Sequence, residues 1–261
     1  QSGETADTLA ALREAKKHGA RVLAITNVVG SSVAREADDV IITWAGPEIA
    51  VASTKAYTSQ LIAIYLLGVY FAQVRGNKTA DELKEIVTHL RQLAEQAEQV
   101  LSYEKRIGEF ARSIAESEHL FFLGRGLDYA VALEGSLKLK EISYIHSEAY
   151  AAGELKHGTL ALIEENIPVI ALATQASVFE KMVSNIQEVK ARGAKVLGFA
   201  AEGDTELQKS VDEVIYIPKT IDLLAPVLTV IPLQLFAYYA CIERGYDVDK
   251  PRNLAKSVTV E

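Results

Sequence analysis

Cysteine is almost missing from the sequence, because Cys241 is the only one among 261 residues. A single cysteine excludes an internal disulfide and a metal site made of several thiolates. Its apolar surroundings, YYACIERG, predict a buried side chain and fit a reducing, cytoplasmic location. The five histidines lack the spacing of metal ligands, so we expect neither a metal nor another cofactor.

An excess of basic residues is also missing. The 27 Lys and Arg residues face 35 Asp and Glu residues, which gives a formal net charge of −8. This balance argues against nucleic acid and an anionic membrane as partners, so a phosphorylated ligand would need local amides and hydroxyls. A hydrophobic share of 49% predicts a soluble globular protein with one large domain or two ordinary ones.

Only one hydrophobic run, residues 223–242, is uncharged and long enough to cross a bilayer. Pro226, Pro232 and Gln234 lie within it, and no second span accompanies it, so we interpret it as a buried core helix. The sequence has no signal peptide and no initiating Met, and we expect it to be a fragment.

The chain contains an internal repeat. REAKKHGARVLAI, residues 13–25, resembles QEVKARGAKVLGF, residues 187–199, at an offset of 174. The same offset aligns residues 37–42 with 211–216, and it aligns the run at 223–242 with residues 49–68. Each copy reads as a helix, a glycine turn, a buried strand, a second strand and an apolar helix. Such alternation predicts parallel sheets covered by helices on both faces.

The two copies are unequal in length. The second has a first half, residues 119–175, whose counterpart at the same offset would fall before residue 1. We therefore predict an α/β fold with two doubly wound parallel-sheet domains, the first incomplete at its N-terminus. Residues 1–77 form the C-terminal part of the first domain, and residues 78–245 form linking helices and the second domain. The polar tail, 246–261, is disordered by default.

The opening QSGET begins a predicted helix. A Ser, Gly and Thr cluster there presents hydroxyls and unpaired N–H groups, which suits a phosphate, although an ordinary helix cap without a ligand would look the same. The second copy has QASVF, residues 175–179, and has lost this chemistry, which suggests one ligand site for the two copies. Residues 52–54, Ala-Ser-Thr, either line a sugar pocket or simply cap the next helix.

A charged trio, Glu134, Lys138 and Glu141, recurs on one face of a helix in the second copy. A solvated salt-bridge face would have the same pattern. However, the helix follows LFFLGRG, a strand that ends where ligands collect in open α/β folds. Tyr129 replaces the third glycine of a dinucleotide fingerprint, so a dinucleotide is not expected. His157 lies between glycines in a loop, and both a functional and a packing role stay open.

Four stretches together, QSGET, EIAVASTKAYT, ALEGSLKLKEISYIHSEAYAAGELKHG and PRNLAKSVTVE, resemble the glutamine–fructose-6-phosphate aminotransferases, also called glucosamine-6-phosphate synthases. The likeness covers the whole chain, and two sugar-isomerase (SIS) domains form the isomerase half of that family. The resemblance implies that fructose 6-phosphate and ammonia become glucosamine 6-phosphate, the first step of amino-sugar biosynthesis. It also implies that the ammonia comes from an N-terminal glutaminase domain absent here.

The resemblance also implies roles for single residues. It assigns phosphate or sugar contacts to Gln1, Ser2, Thr5, Val51, Ala52, Ser53 and Ala255. Lys256 resembles the lysine that forms a Schiff base with the C2 ketone, and the tail would fold over the site. Glu141 resembles the base that moves a proton between C1 and C2, and Lys138 would stabilise its charge, with Glu134 as a structural partner. His157 resembles a ring-opening histidine supplied by a neighbouring subunit, which implies a homodimer.

Two other classes of protein compete with the enzyme. One is a regulatory SIS module that binds a sugar phosphate without chemistry, and the other is a structural α/β scaffold. Lys256, Glu141 and His157 separate these hypotheses, because a sensor would not need all three. A scaffold would leave the unequal QSGET unexplained.

Overall fold

The computed structural model describes residues 1–258 of the chain, which form two compact units. The first unit comprises Gln1–Ile86 together with the C-terminal segment from Asp249, and the second comprises Val87–Val248. The division falls inside a helix, between Ile86 and Val87, whereas the sequence predicts a domain boundary after residue 77. The last three residues of the predicted tail, 259–261, lie outside the described residues.

The first unit contains two strands and three helices before the dividing helix. Their order is α1 (Ala6–Lys17), β1 (Leu23–Thr26), α2 (Ser32–Glu36), β2 (Asp39–Ile42) and α3 (Lys55–Arg75). The helix α4 (Ala80–Leu101) follows and crosses the division. β1 and β2 run parallel, with Leu23 opposite Asp39. A small core forms where Leu12 of α1 packs with Ala24 and Val33.

The second unit is a five-stranded parallel sheet with the strand order β4-β3-β5-β6-β7. Its elements are α5 (Glu104–Ser113), β3 (His119–Gly124), α6 (Leu127–Ser143), β4 (His146–Ala151), β5 (Pro168–Ala173), α7 (Phe179–Lys190), β6 (Lys195–Ala201), β7 (Glu213–Ile217) and α8 (Ala225–Glu243). Every residue of the central strand β5 is buried, which explains its continuous apolar sequence. The α/β class with parallel sheets is confirmed.

Helices cover both faces of this sheet. On one face, Phe121 and Leu123 of β3 share a core with Met182 and Ile186 of α7. On the other face, Phe122 approaches α6 at Gly135, where a Cβ atom would collide with Leu233 of α8. Glycine at this position therefore lets α6 and α8 pack closely over the strand.

The structure confirms the repeat. Adding 174 to the bounds of β1 gives residues 197–200, which lie within β6, and β2 corresponds to β7 in the same way. The two copies differ in their neighbours. β6 pairs with β5 on one side and β7 on the other, whereas β1 pairs with β2 alone among residues 1–258. The first unit is thus the shorter copy, as predicted.

Two helices, α3 and α8, are long and apolar enough to cross a membrane by length and composition alone, so the expectation that no second such run accompanies residues 223–242 is wrong. α8 is mostly buried in the second unit, as predicted for a core helix. α3 buries only Ala56 and Ala63. Its exposed apolar side chains include Ile64, Leu66, Tyr70, Phe71 and Val74. A depression of about 850 Å³ lies between α3 and the two strands of the first unit.

The tail is ordered over its described part, which corrects the expectation of disorder. Residues 249–258 contain neither helix nor strand. They are nevertheless bound to the first unit by backbone hydrogen bonds, because Val51 N–H donates to the Asp249 carbonyl and Ala6 N–H donates to the Val258 carbonyl. A polar segment without periodicity can be ordered in this way when partners far along the chain accept and donate its hydrogen bonds.

Candidate active site residues

The QSGET loop is fixed at the start of α1 by glycine. Gly3 has a φ of +70°, and a Cβ atom there would clash with the Ser31 side chain and approach the Thr26 hydroxyl. Its carbonyl accepts the Val33 N–H at 2.9 Å. Only glycine fits this left-handed, crowded position, so the backbone of the loop lies against the start of α2.

Side-chain hydrogen bonds hold the rest of this loop. The Ser2 hydroxyl accepts the Glu4 N–H at 3.2 Å, and the Gln1 side chain accepts Asn27 Nδ2 at 3.0 Å. Hydrogen bonds from Ser32 lower the pKa of the Glu4 carboxyl. Thr5 occupies the N-cap position of α1, yet its side chain makes no capping hydrogen bond within the described helix. The predicted phosphate residues thus lie in the segment that leads into the positive end of a 12-residue helix, with Thr5 at its N-cap.

The second copy has lost this arrangement, as its sequence indicates. Phe179 stands where the first copy has Thr5, and its ring packs against the hydrophobic core of the second unit. An aromatic side chain that points into the core offers no hydrogen bond to an anion. The corresponding helix, α7, begins at this residue.

The C-terminal tail returns to the QSGET loop. The hydroxyl oxygens of Ser257 and Ser2 are 3.1 Å apart. The Ala6 N–H at the start of α1 donates to the Val258 carbonyl at 3.1 Å. The tail therefore lies beside the predicted anion-binding end of α1, although Ala255 itself is exposed.

Lys256 points into a polar cluster of the first unit. Its Nζ donates to Glu48 Oε2 at 2.7 Å, to the Ala50 carbonyl at 2.7 Å and to the Ser53 hydroxyl at 3.4 Å. Ala52, next to Ser53, is buried. The structure thus brings the predicted Schiff-base lysine together with the predicted sugar-lining segment 51–53.

Glu48 is a member of this cluster that the sequence reasoning missed. Its side chain is only 4% exposed, and Oε1 accepts the backbone N–H groups of Thr54 at 2.8 Å and Ala56 at 3.2 Å. Burial alone would raise the pKa of Glu48, but hydrogen bonds from Lys256, Thr54 and Ala56 outweigh burial and lower it. Two signals pointed to it: Glu48 opens the EIAVASTKAYT stretch, and the repeat aligns it with another acid, Asp222.

The charged trio of the second unit lies on α6, as predicted. Lys138 Nζ is 2.6 Å from Glu141 Oε2 and 3.6 Å from Glu134 Oε1. The Lys138 side chain is only 5% exposed, so the trio is not a solvated salt-bridge face. Burial raises the pKa of Glu134, and the charge of Glu141 adds to this effect while Lys138 opposes it. One cation is thus shared between two carboxylates, of which Glu141 is the nearer and more exposed.

His157 ends a short 3₁₀ helix, Ala152–His157, and its side chain is 76% exposed. It lines a surface depression of about 490 Å³ with Tyr150, Thr159 and Leu162. Its Nε2 lies 3.8 Å from Glu154 Oε2. An imidazole with this exposure does not serve core packing, which removes the packing role considered from sequence.

Asp128, a second missed residue, is buried at the start of α6. Its carboxylate accepts the Thr174 N–H at 2.7 Å and the Thr174 hydroxyl at 2.6 Å, which ties α6 to the end of β5. Burial raises the pKa of Asp128 from 3.8 to about 6, although these hydrogen bonds oppose the rise. No group of three or more His, Cys, Asp or Glu among residues 1–258 is arranged to hold a metal ion.

Comparison with family models identifies the class of protein. The SIS domain model matches residues 1–70 and 113–244, so the chain belongs to the SIS domain family. Over its whole length, it is 64% identical to the glutamine–fructose-6-phosphate aminotransferase [isomerizing] of Clostridium acetobutylicum. The chain spans 43% of the length of that relative.

Solved structures agree with this assignment. The C-terminal domain of glucosamine-fructose-6-phosphate aminotransferase from Francisella tularensis is 42% identical, with a TM-score of 0.91 over 96% of this chain and 72% of the other. Glucosamine-6-phosphate deaminase from Thermotoga maritima is 25% identical, with a TM-score of 0.73 over 99% of this chain and 73% of the other.

Proposed function

We propose that this chain carries the isomerase chemistry of a glutamine–fructose-6-phosphate aminotransferase, which forms glucosamine 6-phosphate from fructose 6-phosphate and ammonia. The observation that carries the proposal is the setting of Lys256. A tail lysine lies beside Ser53 and Ala50, while the next residue, Ser257, lies against Ser2 at the start of α1. An amine next to an anion-binding helix end suits a sugar phosphate that carries a ketone.

The sugar phosphate is bound by dipoles and hydroxyls in this proposal. Gln1, Ser2 and Thr5 lie in the segment that leads into α1, where backbone N–H groups and the helix dipole favour a phosphate. This mode of binding needs no basic surface, and it is compatible with a net charge of −8. Val51, Ala52, Ser53 and Ala255 then contact the sugar.

Lys256 supplies covalent chemistry. The ammonium of Lys256 first releases a proton to water. The neutral amine then attacks the C2 ketone of the open-chain sugar, and loss of water leaves a Schiff base. Ammonia then adds to the same carbon and expels the lysine amine, which gives the sugar imine and restores the enzyme. The ammonia is delivered by a glutaminase domain of the complete protein.

Glu141 moves the proton. A carboxylate that removes a proton from C1 and returns it to C2, while the C1 hydroxyl gives up its proton and the imine nitrogen gains one, converts the imine of the ketose into the amino aldose. Lys138, at 2.6 Å, stabilises the negative charge of this carboxylate and orients it. His157 opens the sugar ring, and its exposure fits supply to the site of a neighbouring subunit in a homodimer.

A sugar-phosphate deaminase is the second candidate, because the Thermotoga neighbour bears that name. The two candidate functions differ in the direction of the reaction that they catalyse. The synthase forms glucosamine 6-phosphate from fructose 6-phosphate and ammonia, whereas the deaminase releases ammonia from glucosamine 6-phosphate. Initial rates in both directions, measured on one preparation, distinguish them.

Borohydride trapping tests the central step. The protein at its full natural length is incubated with fructose 6-phosphate and sodium borohydride, and the modified residue is located by peptide mass spectrometry. The reduced sugar should be attached to Lys256 in the wild type and in Lys138→Arg, and it should be lost in Lys256→Arg. Attachment to another lysine would contradict the Schiff-base assignment, and no attachment at all would favour a binding module.

A further inference from the structure

Glu48 uses its two carboxylate oxygens for two different tasks. Oε1 accepts the N–H groups of Thr54 and Ala56 at the start of α3, where the helix itself supplies no carbonyl acceptor. Oε2 accepts a hydrogen bond from Lys256 Nζ at 2.7 Å. Because Oε1 is fixed by a helix end and the side chain is almost fully buried, the position of Oε2 is fixed as well.

The position of the Lys256 amine depends on Glu48 Oε2. Lys256 lies in a segment without helix or strand, between the exposed Ala255 and the partly buried Ser257. Its other two partners, the Ala50 carbonyl and the Ser53 hydroxyl, are neutral. Within residues 1–258, Glu48 is the one carboxylate that forms an ion pair with Lys256. A charge-assisted hydrogen bond is about twice as strong as a neutral one, so Glu48 is the strongest of the three contacts.

We propose that Glu48 is the positioning residue of Lys256, which holds the tail amine against the start of α3 where it meets the ketone. This inference rests on the proposed function, because it assigns Glu48 a task in the Schiff-base step. Glu48 acts through Lys256 and through the fixed tail. Its loss should therefore slow imine formation and loosen residues 249–258, and it should leave phosphate binding at the start of α1 unchanged.

Substitutions of Glu48 can separate its ion pair with Lys256 from its hydrogen bonds to α3. In Glu48→Gln, the amide oxygen can still accept the two N–H groups of α3, while the ion pair with Lys256 is lost. Glu48→Asp keeps the charge on a shorter side chain. Glu82→Gln is the matched control, because Glu82 likewise accepts a helix N-terminal N–H, from Thr79, and pairs with a lysine, Lys78, at 2.8 Å.

The first measurement is the rate of borohydride trapping on Lys256 with fructose 6-phosphate, in the full-length protein. We expect Glu48→Gln to lower this rate about 100-fold, because small displacements of a reacting group cost that much. The dissociation constant for glucose 6-phosphate, which binds through its phosphate, should change less than about 3-fold, and Glu82→Gln should match the wild type. Glu48→Asp should be faster than Glu48→Gln. Equal rates in the wild type and Glu48→Gln, or a faster Glu48→Gln than Glu48→Asp, would overturn the proposal.

The second measurement does not need catalysis. Hydrogen–deuterium exchange of peptides that cover residues 249–258 should accelerate in Glu48→Gln and stay unchanged in Glu82→Gln. If the wild type is never trapped on Lys256, the proposed function fails, and exchange alone then decides whether Glu48 positions the lysine. Unchanged exchange in Glu48→Gln would overturn the positioning role, whatever the trapping result.

Discussion

Lys138 and Glu141 form a close ion pair one turn apart on α6, with 2.6 Å between Nζ and Oε2. The lysine is almost fully buried, while the glutamate keeps about a fifth of its side chain exposed. Glu141 thus combines an oriented, charge-stabilised carboxylate with access from outside, which is the combination a general base requires.

Replacing Glu141 by Gln should abolish proton transfer without preventing the substrate from binding. We expect the rate of C1-proton exchange with deuterated solvent to fall at least about 100-fold, the usual contribution of a general base. The affinity for the sugar phosphate should stay near that of the wild type. Glu134→Gln, on the same helix face, serves as the control and should retain most of the exchange. If Glu141→Gln still turns over, another residue is the base.

Lys138 should also matter for stability. In Lys138→Met, Glu134 and Glu141 lose their shared cation while they remain largely buried, so the free energy of unfolding should fall by about 3–5 kcal/mol. Lys78→Met removes the exposed pair with Glu82 and should cost far less, because solvent screens an exposed ion pair. Urea unfolding of both variants checks this. A cost for Lys138→Met as small as that of Lys78→Met would show that burial does not strengthen the pair.

Gly3 should be far less replaceable than Gly19, although both have positive φ, +70° and +76°. Either alanine substitution costs about 1–2 kcal/mol for the left-handed backbone. At Gly19 no described atom lies within 4 Å of the added carbon, whereas at Gly3 the carbon collides with Ser31. Gly3→Ala should therefore also weaken binding of the sugar phosphate, measured by calorimetry, while Gly19→Ala leaves it intact. Similar affinities in both variants would contradict a phosphate site at QSGET.

Asp128 should make stability depend on pH. Its pKa is raised from 3.8 to about 6 in the folded protein, so the folded state binds more protons than the unfolded state between these values. The contribution of Asp128 to the free energy of unfolding is therefore most favourable below pH 4. It decreases by about 3 kcal/mol in total as the pH rises to 6.

Asp128→Asn removes this titration. The free energy of unfolding of Asp128→Asn, relative to the wild type, should increase from pH 4 to pH 6 and stay level above. Asp39→Asn is a suitable comparison, because the hydrogen bond from Arg21 lowers the pKa of Asp39. The free energy of unfolding of Asp39→Asn, relative to the wild type, should therefore not increase from pH 4 to pH 6. A pH-independent difference for Asp128→Asn would show that the carboxylate titrates normally.

The repeat was the most informative feature of the sequence. It predicted the parallel α/β organisation, the shorter first copy and the burial of α8, because these follow from local periodicity and from comparing one half with the other. It also predicted where hydroxyl chemistry is lost, at Phe179. Burial of the Lys138 trio could not be predicted, since it depends on how α6 packs and a solvated face has the same spacing.

The missed residues share one property. Glu48 meets Lys256 across 208 positions of the chain, and Asp128 meets Thr174 across 46. A single acid in a loop or at a helix start has no periodic signature, so its role is visible only when the distant partner is placed. The tail looked disordered for the same reason, because its hydrogen bonds go to residues at the other end of the sequence.

The short sheet of the first unit has a practical consequence for handling the protein. A strand with an unpaired edge is a template for another strand, and a neighbouring apolar helix face favours adhesion. Among residues 1–258, β1 has such an edge and α3 has such a face. Purified on their own, these 261 residues should therefore associate as their concentration rises, and light scattering over a dilution series would reveal it.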